Sequence, residues 1–307
     1  MIAVRPAFVI GAALLSLAAC ADDDGDAAPR VVLDDDAITV GSFDFPESVL
    51  LAELYSQALE EGGFRVERAF GLGPREFVGP ALSAGLIEVV PEYAGTAVTF
   101  FSAGASSPSA DPAETHRELT NVVDGTSVAV LDAALAQNTN TFVVTDDTAR
   151  HYGLTTLSDL AAAAPELVLG GPAECPTRPL CQVGLRDVYG LTFADFVTLD
   201  TGGTVTHQAL RDGYVDVALL LQTDPELVDY VELTDDRHLQ PAENITPLIH
   251  AEVVERFGPD VVAVIDAVSH ELDTDSLRQL NTVDAATPGA DDVAAIAADW
   301  LRAEGLA

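Results

Sequence analysis

Lysine is absent from this sequence of 307 residues, whose 14 basic residues are all arginine against 50 aspartates and glutamates. Without lysine the chain cannot form a Walker A phosphate loop, a pyridoxal Schiff base or a catalytic lysine. The formal net charge of −36 argues against nucleic-acid binding, because phosphate groups need a cationic surface. The same charge argues against direct attraction to an anionic membrane.

Catalytic sequence patterns are also scarce. The sequence has no HExxH, CxxC or GxSxG pattern, and its six histidines do not fall at metal-ligand spacing. Gly71-Leu72-Gly73 lacks the third glycine of a dinucleotide-binding fingerprint. We therefore expect no metal, no cofactor and no enzymatic activity. The alternative is an exported α/β hydrolase-like enzyme, which requires a nucleophile–base pair that the sequence does not reveal.

Cysteine is rare, and the first of three cysteines, Cys20, ends the segment Leu17-Ala18-Ala19-Cys20. An apolar run at residues 7–17 precedes it and is typical of a signal peptide, since it is short for a membrane span. The segment resembles a bacterial lipobox, in which the cysteine is acylated. We predict a lipoprotein signal peptide at residues 1–19, a lipid anchor on Cys20 and an acidic flexible tether at residues 20–36. An ordinary signal peptide with a chance cysteine is the alternative.

The other two cysteines, Cys175 and Cys181, are separated by five residues that include two prolines, which indicates a loop. Export places the protein in an oxidising compartment, so a disulfide between them is the leading interpretation. A zinc site needs four ligands, and two cysteines without a nearby histidine fall short of that number.

Segments of strand length alternate with helical segments from residue 37 onwards. Ala37 to Phe43 predicts a buried strand, and Pro46 opens a helix with apolar residues at helical spacing. The alternation resumes at Thr141 and includes a predicted helix from Ser158 to Ala164, and four helices follow from Ala251. The pattern predicts β-α-β units with parallel sheets covered by helices. It fits a hinged two-lobe binding protein or a doubly wound enzyme with a second domain.

Short polar and aromatic segments follow the predicted strands. In open α/β sheets the ligand crevice lies outside the carboxyl ends of the strands, so these segments are expected to converge on one cleft. Ordinary turns are the alternative for each, because glycine, asparagine, aspartate and proline are turn residues. The segments are Ser42–Ser48, Gly71–Glu76, Pro91–Thr96, Asn138–Phe142, Thr198–Gly203 and Gln222–Asp224.

The same segments carry a family resemblance through their order. Phe45-Pro46-Glu47-Ser48 is similar to an "NFTEQ"-like turn, Leu72 to Glu76 to "LGxxE", and Glu92 to Thr96 to "EYxGT". Further on, Gly184 to Leu191 is similar to "GLxxxYGL", and Leu199 to Leu210 to "LDxGGxxTxxAL". This ordered set, over residues 37–306, resembles the osmoprotectant substrate-binding proteins of ABC importers, a family that binds glycine betaine, choline and carnitine.

The resemblance implies a type II periplasmic-binding-protein fold, with two α/β lobes joined by two hinge crossings. Lobe 1 is expected at residues 37–138 plus 247–307 and lobe 2 at residues 139–246. The implied function is capture of a quaternary-ammonium osmolyte between the lobes and its delivery to the ABC permease subunits. The protein is then extracytoplasmic and held to the outer face of the cytoplasmic membrane by its lipid anchor alone. A solute sensor without an importer is an alternative.

The resemblance also implies site residues. A quaternary ammonium group donates no hydrogen bonds and is held by aromatic faces, whereas a carboxylate tail favours an arginine fork or hydroxyl groups. Tyr93 matches the family's cage tyrosine, and Phe142 stands where a second cage tyrosine is usual. The other predicted ligand-binding residues are Phe45 as a wall, Thr96, Asn140 and Thr223 as polar contacts, Ser48 in the place of a usual glutamine, and Arg75 as a carboxylate clamp.

Overall fold

The computed structural model describes residues 36–286 and 289–307. The predicted signal peptide, the anchor at Cys20 and all but the last residue of the predicted tether lie outside the described residues. Among the helices that are described, none combines the length and the apolar character needed to cross a membrane.

Lobe 1 contains a five-stranded sheet in the order β2-β1-β3-β10-β4. Strands β2 and β3 run parallel to β1, whereas β10 runs antiparallel to both β3 and β4. Helices cover this sheet, so its central strands are buried as in other mostly parallel sheets. The strands are β1 (Ile38–Gly41), β2 (Val66–Ala69), β3 (Val89–Tyr93), β4 (Val128–Val130) and β10 (Ile245–His250). The helices are α1 (Pro46–Glu61), α2 (Arg75–Ser83), α3 (Ala94–Phe101), α4 (Pro112–Val123), α8 (Ala251–Phe257), α9 (Asp260–Glu271), α10 (Thr274–Ala286) and α11 (Ala290–Glu304).

Lobe 2 repeats this arrangement in the order β7-β6-β8-β5-β9. Strands β7 and β8 run parallel to β6, and β5 is antiparallel to β8 and β9. The strands are β5 (Asn140–Val144), β6 (Val168–Gly171), β7 (Asp195–Thr198), β8 (Val217–Leu221) and β9 (Val231–Leu233). The helices are α5 (Asp146–Tyr152), α6 (Gln182–Tyr189) and α7 (Thr204–Arg211), with 3₁₀ turns at Leu157–Ala162, Ala164–Glu166, Cys175–Thr177 and Leu227–Asp229.

Two chain segments, the outward crossing and the return crossing, connect lobe 1 to lobe 2 and lie next to each other. The outward crossing leads into β5, and the return crossing, residues 241–244, leads into β10. Gln137 and Asn244 pair as an antiparallel bridge, and the Asn138 N–H donates to the Glu243 carbonyl at 3.0 Å. In each sheet the strand at the fourth position in space, β10 in lobe 1 and β5 in lobe 2, runs antiparallel to its neighbours and follows a crossing. The predicted architecture of two α/β lobes joined by two crossings is confirmed.

Helix α1 forms the centre of the lobe 1 core because its sequence supplies both a start and an apolar face. Pro46 occupies the first turn, where a missing N–H costs nothing, and Gly63, with φ of 86°, allows the chain to leave after Gly62. Leu50, Leu54 and other residues of the helix are fully buried. Each such leucine contributes roughly 1.5–3 kcal/mol of transfer free energy.

The sequence prediction differs from the structure in several places. The predicted helix from Ser158 to Ala164 is replaced by two 3₁₀ turns, at Leu157–Ala162 and Ala164–Glu166. The sequence analysis assigned no strand at β4, β9 or β10 and no helix at α5. Helices α3 and α4 lie in a stretch to which the sequence analysis assigned no element. They cover the lobe 1 sheet, and α3 begins directly at the end of β3.

Candidate functional site

Four aromatic residues of lobe 1 line a cavity of about 490 Å³. Three of them, Phe43, Phe45 and Tyr93, form one cluster, and the fourth, Phe100, lies on α3. Phe43 and Phe45 follow the carboxyl end of β1, and Tyr93 is the last residue of β3. The Phe43 and Phe45 rings are parallel with centroids 5.9 Å apart, and the Tyr93 ring lies 6.4 Å from Phe43 and 5.9 Å from Phe45. Parallel strands place their carboxyl ends along one edge of the sheet, which explains why residues distant in sequence form one aromatic wall.

A buried carboxylate on α1 holds the Tyr93 ring in place. The Tyr93 hydroxyl donates to Glu47 Oε1 at 2.7 Å, and Asn138 Nδ2 donates to the same oxygen at 2.6 Å. Asn281 Nδ2 at 2.6 Å and the Thr223 hydroxyl donate to Glu47 Oε2. Burial and the charge of Glu47 raise the pKa of Tyr93 well above its usual value, so the phenol stays a neutral donor. Glu47 therefore joins lobe 1, the outward crossing and lobe 2.

Arg75, a predicted carboxylate clamp, lines the cavity but already has a partner. Its Nε lies 2.8 Å from Glu92 Oε1 and its Nη2 lies 2.7 Å from Glu92 Oε2, with both side chains buried. The guanidinium also lies 4.8 Å from the centroid of the Phe43 ring. A bidentate pair of this kind balances the charge of Arg75 and orients the ring beside it.

A second buried carboxylate, Glu243, lines the cavity from the return crossing. It accepts hydrogen bonds from the Thr96 backbone N–H at 3.0 Å and from the Thr96 hydroxyl. Burial raises the pKa of Glu243 to about 7, against the lowering effect of these hydrogen bonds and of Arg75. The predicted polar contact Thr96 thus reaches the cavity and also fixes an acid that the sequence analysis did not single out.

Lobe 2 lines the opposite side of the cavity with aliphatic and polar groups. Cys175 and Cys181 form a disulfide with Cα atoms 5.2 Å apart, and Arg178 lies in the loop between them. Arg178 Nη2 donates to Glu76 Oε2 of lobe 1 at 2.7 Å, while its buried Nε has no partner. Asn140 lines the cavity and donates to the Gln240 side chain at 3.3 Å.

The remaining predicted residues do not line the cavity. Phe142 is 1% exposed and lies between Leu219 and Leu233 of the neighbouring strands, in the lobe 2 core. Ser48 is buried and accepts the Phe43 N–H at 2.9 Å, and the Thr223 hydroxyl is bound to Glu47. The structure therefore brings five of the eight predicted residues to one cavity: Phe45, Arg75, Tyr93, Thr96 and Asn140.

Sequence reasoning missed four residues that shape the site: Phe43, Glu47, Arg178 and Glu243. Phe43 and Glu47 belong to the strand-end segment Ser42–Ser48, which was a detectable signal, although neither was chosen from it. Glu243 carried no such signal, because 50 of 307 residues are acidic and burial distinguishes it from the others. Within residues 36–286 and 289–307, no group of three metal-binding side chains is placed to hold a metal ion.

Comparison with known proteins gives consistent matches over most of the chain. A sequence profile of the substrate-binding domain of ABC-type glycine betaine transport systems matches residues 36–303. The glycine-betaine-binding protein of Pseudomonas aeruginosa is 25% identical over 283 residues, which cover 87% of this chain and 88% of the relative. The glycine betaine-binding protein YehZ of Escherichia coli is 26% identical over 279 residues, covering 87% and 90%.

A solved structure described as a glycine betaine/carnitine/choline ABC transporter has the same fold. It superimposes with a TM-score of 0.67 at 22% identity, and the alignment covers 88% of this chain and 99% of that chain. The predicted periplasmic-binding-protein fold is thereby confirmed.

Proposed function

The chain belongs to the family of substrate-binding domains of ABC-type glycine betaine transport systems, and from this premise we propose that it captures a quaternary-ammonium osmolyte between its two lobes and delivers it to an ABC permease. Glycine betaine and choline are the solutes that this proposal puts first. The relatives from Pseudomonas aeruginosa and Escherichia coli are both named as glycine betaine-binding proteins. The protein is proposed to carry out no chemical step.

One observation carries the proposal: the three rings of Phe43, Phe45 and Tyr93 on one wall of the cavity. A trimethylammonium group has no hydrogen-bond donor, so ring faces are its best partners. Each ring contributes about 0.5–1 kcal/mol when exposed and about 2 kcal/mol or more when desolvated. The rings here are buried or half-buried, so together they supply enough energy for a specific solute site.

The two walls suggest an order of events. The ring wall lies wholly in lobe 1 and is fixed by the hydrogen bond from Tyr93 to Glu47. Closure of lobe 2 brings the disulfide loop over the ligand, and Arg178 Nε, which has no partner, supplies a donor for an oxygen of the ligand. Hinge closure of this kind separates the bound solute from water and gives the permease a distinct closed form to recognise.

Export and anchoring complete the proposal. An importer takes its solute from outside the cell, so the binding protein works in the extracytoplasmic space. The lipobox-like segment that ends at Cys20 supports attachment to the outer face of the cytoplasmic membrane through a lipid. A lipid anchor keeps a freely diffusing binding protein close to its permease.

The proposal is tested by titration calorimetry of the purified protein with glycine betaine, choline, carnitine and the uncharged carbon analogue of choline. A quaternary ammonium solute is expected to bind and the carbon analogue to bind far more weakly, since only the cation gains from the ring faces. Replacing Tyr93 by alanine is expected to weaken binding about tenfold or more, because a desolvated ring is lost. Tyr93→Phe keeps the ring and loses the hydrogen bond to Glu47, so it is expected to weaken binding less than Tyr93→Ala and separates the contribution of the ring from that of its anchor.

Two results contradict the proposal. One is that none of the quaternary ammonium solutes binds at millimolar concentration. The other is that the carbon analogue binds as tightly as choline, which would show that the cavity recognises shape without charge.

A further inference from the structure

We propose that Glu243 determines the specificity of this cavity and selects solutes of net positive charge, such as a quaternary ammonium alcohol, over zwitterions. The inference rests on the proposed function, because it concerns the same cavity and the same ammonium group. It adds two points to the proposed function. Glu243 supplies the negative charge opposite the ammonium group, and the preferred solute carries a net positive charge.

The return crossing holds Glu243 in one position. A Cβ atom at Gly95 of α3 would lie 2.4 Å from Pro241 Cγ and 2.9 Å from the Ala242 carbonyl oxygen, so the glycine permits a close approach of the crossing. This approach places the Glu243 carboxylate against the first turn of α3, where the Thr96 N–H and hydroxyl donate to it. Glu243 is therefore buried, its carboxylate is oriented by Thr96, and the residue lines the cavity.

Glu243 is a buried acidic residue of the cavity lining whose hydrogen-bond donor, Thr96, is uncharged. Arg75 and Glu92, whose charges act on Glu243, are paired with each other. Arg178 of lobe 2 pairs with Glu76. The further charged residues of the lining, Asp44 and Glu174, are also acidic. The wall thus has an excess of negative charge, which favours a cation over a neutral zwitterion.

A zwitterion gains less electrostatic binding free energy from this acidic cavity wall than a cation does. Its ammonium group is attracted by Glu243, but its own carboxylate lies only a few bonds away and is repelled. Because the interaction between charges falls as the inverse of their distance, this repulsion offsets a large part of the attraction. A cation with a hydroxyl tail avoids the repulsion, and its oxygen accepts a hydrogen bond from the Arg178 Nε, which lacks a partner.

The same carboxylate makes binding depend on pH. Burial raises the pKa of Glu243 to about 7, so the free protein carries a proton there in mildly acidic solution. A bound cation favours the ionised form and lowers this pKa, so binding below pH 7 releases the proton. Affinity for a cation therefore rises with pH, by up to about tenfold for each pH unit below the pKa, and levels off above it.

The experiment compares choline with glycine betaine by calorimetry, on the wild type, on Glu243→Gln and on Glu67→Gln. Glu67 is exposed on β2 outside the cavity, so its variant changes the total charge equally without touching the site. Titrations are run between pH 5.5 and 8 in buffers of different ionisation enthalpy, which counts the protons released. Neither solute changes its own charge over this range.

We expect the wild type to bind choline more tightly than glycine betaine, with proton release below pH 7. Glu243→Gln is expected to weaken choline binding about tenfold, to reduce the choline preference at least about threefold and to abolish the proton release. Glu67→Gln is expected to retain the wild-type preference. The glutamine variant is expected to fold, since an ionised Glu243 destabilises the free protein above its raised pKa and an amide does not.

The inference is overturned if the wild type prefers glycine betaine, if Glu243→Gln weakens both solutes equally, or if choline binding by the wild type releases no proton. In each of these cases a quaternary ammonium solute still binds, so the proposed function stands while the role of Glu243 falls. Absence of binding by choline, glycine betaine and carnitine alike refutes the proposed function itself.

Discussion

The two lobes have sheets of the same strand order, yet they give the cavity different chemistry. The lobe 1 wall carries four aromatic rings, those of Phe43, Phe45, Tyr93 and Phe100, whereas none of the lining residues between Asn140 and Gln240 is aromatic. Lobe 2 contributes the disulfide loop, Asn140 and the aliphatic side chains of Leu219 and Leu221. Under the proposed function, recognition of the cation depends on one lobe and enclosure on the other, so a common sheet topology does not impose a common role at the site.

The largest effect is expected from removing the hydrogen-bond network around Glu47, because this network joins both lobes. Replacing Glu47 by alanine leaves the buried donors of Tyr93, Asn138, Thr223 and Asn281 without their acceptor. Each buried group without a partner costs about 1–3 kcal/mol, so we expect the free energy of unfolding to fall by about 3 kcal/mol or more. Urea-induced unfolding measures the loss, and calorimetry is expected to show weaker binding because the Tyr93 ring loses its anchor.

Glu53→Ala is the matched control for this variant. Glu53 lies on the same helix and is also buried, but its partners, Arg68 and Gln57, are both in lobe 1. We expect it to lower stability without weakening solute binding. Equal binding by Glu47→Ala and the wild type would contradict a role for the network in the site.

Removing the disulfide tests whether enclosure of the solute by lobe 2 requires an ordered loop between Cys175 and Cys181. The bond between Cys175 and Cys181 closes a short loop, and its loss is expected to cost about 2 kcal/mol of stability from chain entropy. Replacing both cysteines by serine is expected to weaken binding several-fold, since Arg178 lies within the loop and its position is then less fixed. Thermal unfolding and calorimetry measure the two effects.

Reduction of the wild type supplies the control, because a phosphine reductant is expected to reproduce both changes and to leave the serine variant unaffected. If the serine variant binds solute as tightly as the wild type, enclosure by lobe 2 does not depend on the loop.

The smallest expected change in affinity comes from Phe45→Leu, and its comparison with Phe142→Leu tests which of the two predicted phenylalanines contacts the solute. Phe45 lines the cavity, and its replacement by leucine removes one ring face, which is expected to weaken binding about threefold. Phe142 lies in the lobe 2 core, so Phe142→Leu is expected to lower the free energy of unfolding by about 1 kcal/mol and leave affinity unchanged. A loss of affinity in Phe142→Leu equal to that in Phe45→Leu would place an aromatic contact in lobe 2 after all.

The sequence predicted the fold more completely than the site. Proline at a helix start, glycine at helix ends and alternation of strand and helix are local signals, and they located β1, α1, β5 and the four helices from α8 onwards. The helix expected from Ser158 is a pair of 3₁₀ turns in the structure, and α3, α4 and β10 were not foreseen. At the site, strand-end position led to the segments that contain Tyr93, Thr96 and Asn140, because the carboxyl ends of parallel strands share one edge. The family resemblance then selected these residues within the segments.

Periodicity and turn chemistry, which act over a few residues, determined by themselves an α/β protein with a cleft at strand ends. The choice of two hinged lobes came from the family resemblance of the ordered segments. Which side chains share that cleft was decided by tertiary structure alone. The positive charge of Arg75 is balanced by Glu92, and Phe142 is covered by its neighbouring strands. Glu243 acquired an unusual pKa by burial against α3. These properties arise from contacts between distant segments, and the free energy of a charge depends on the medium and partners that such contacts create.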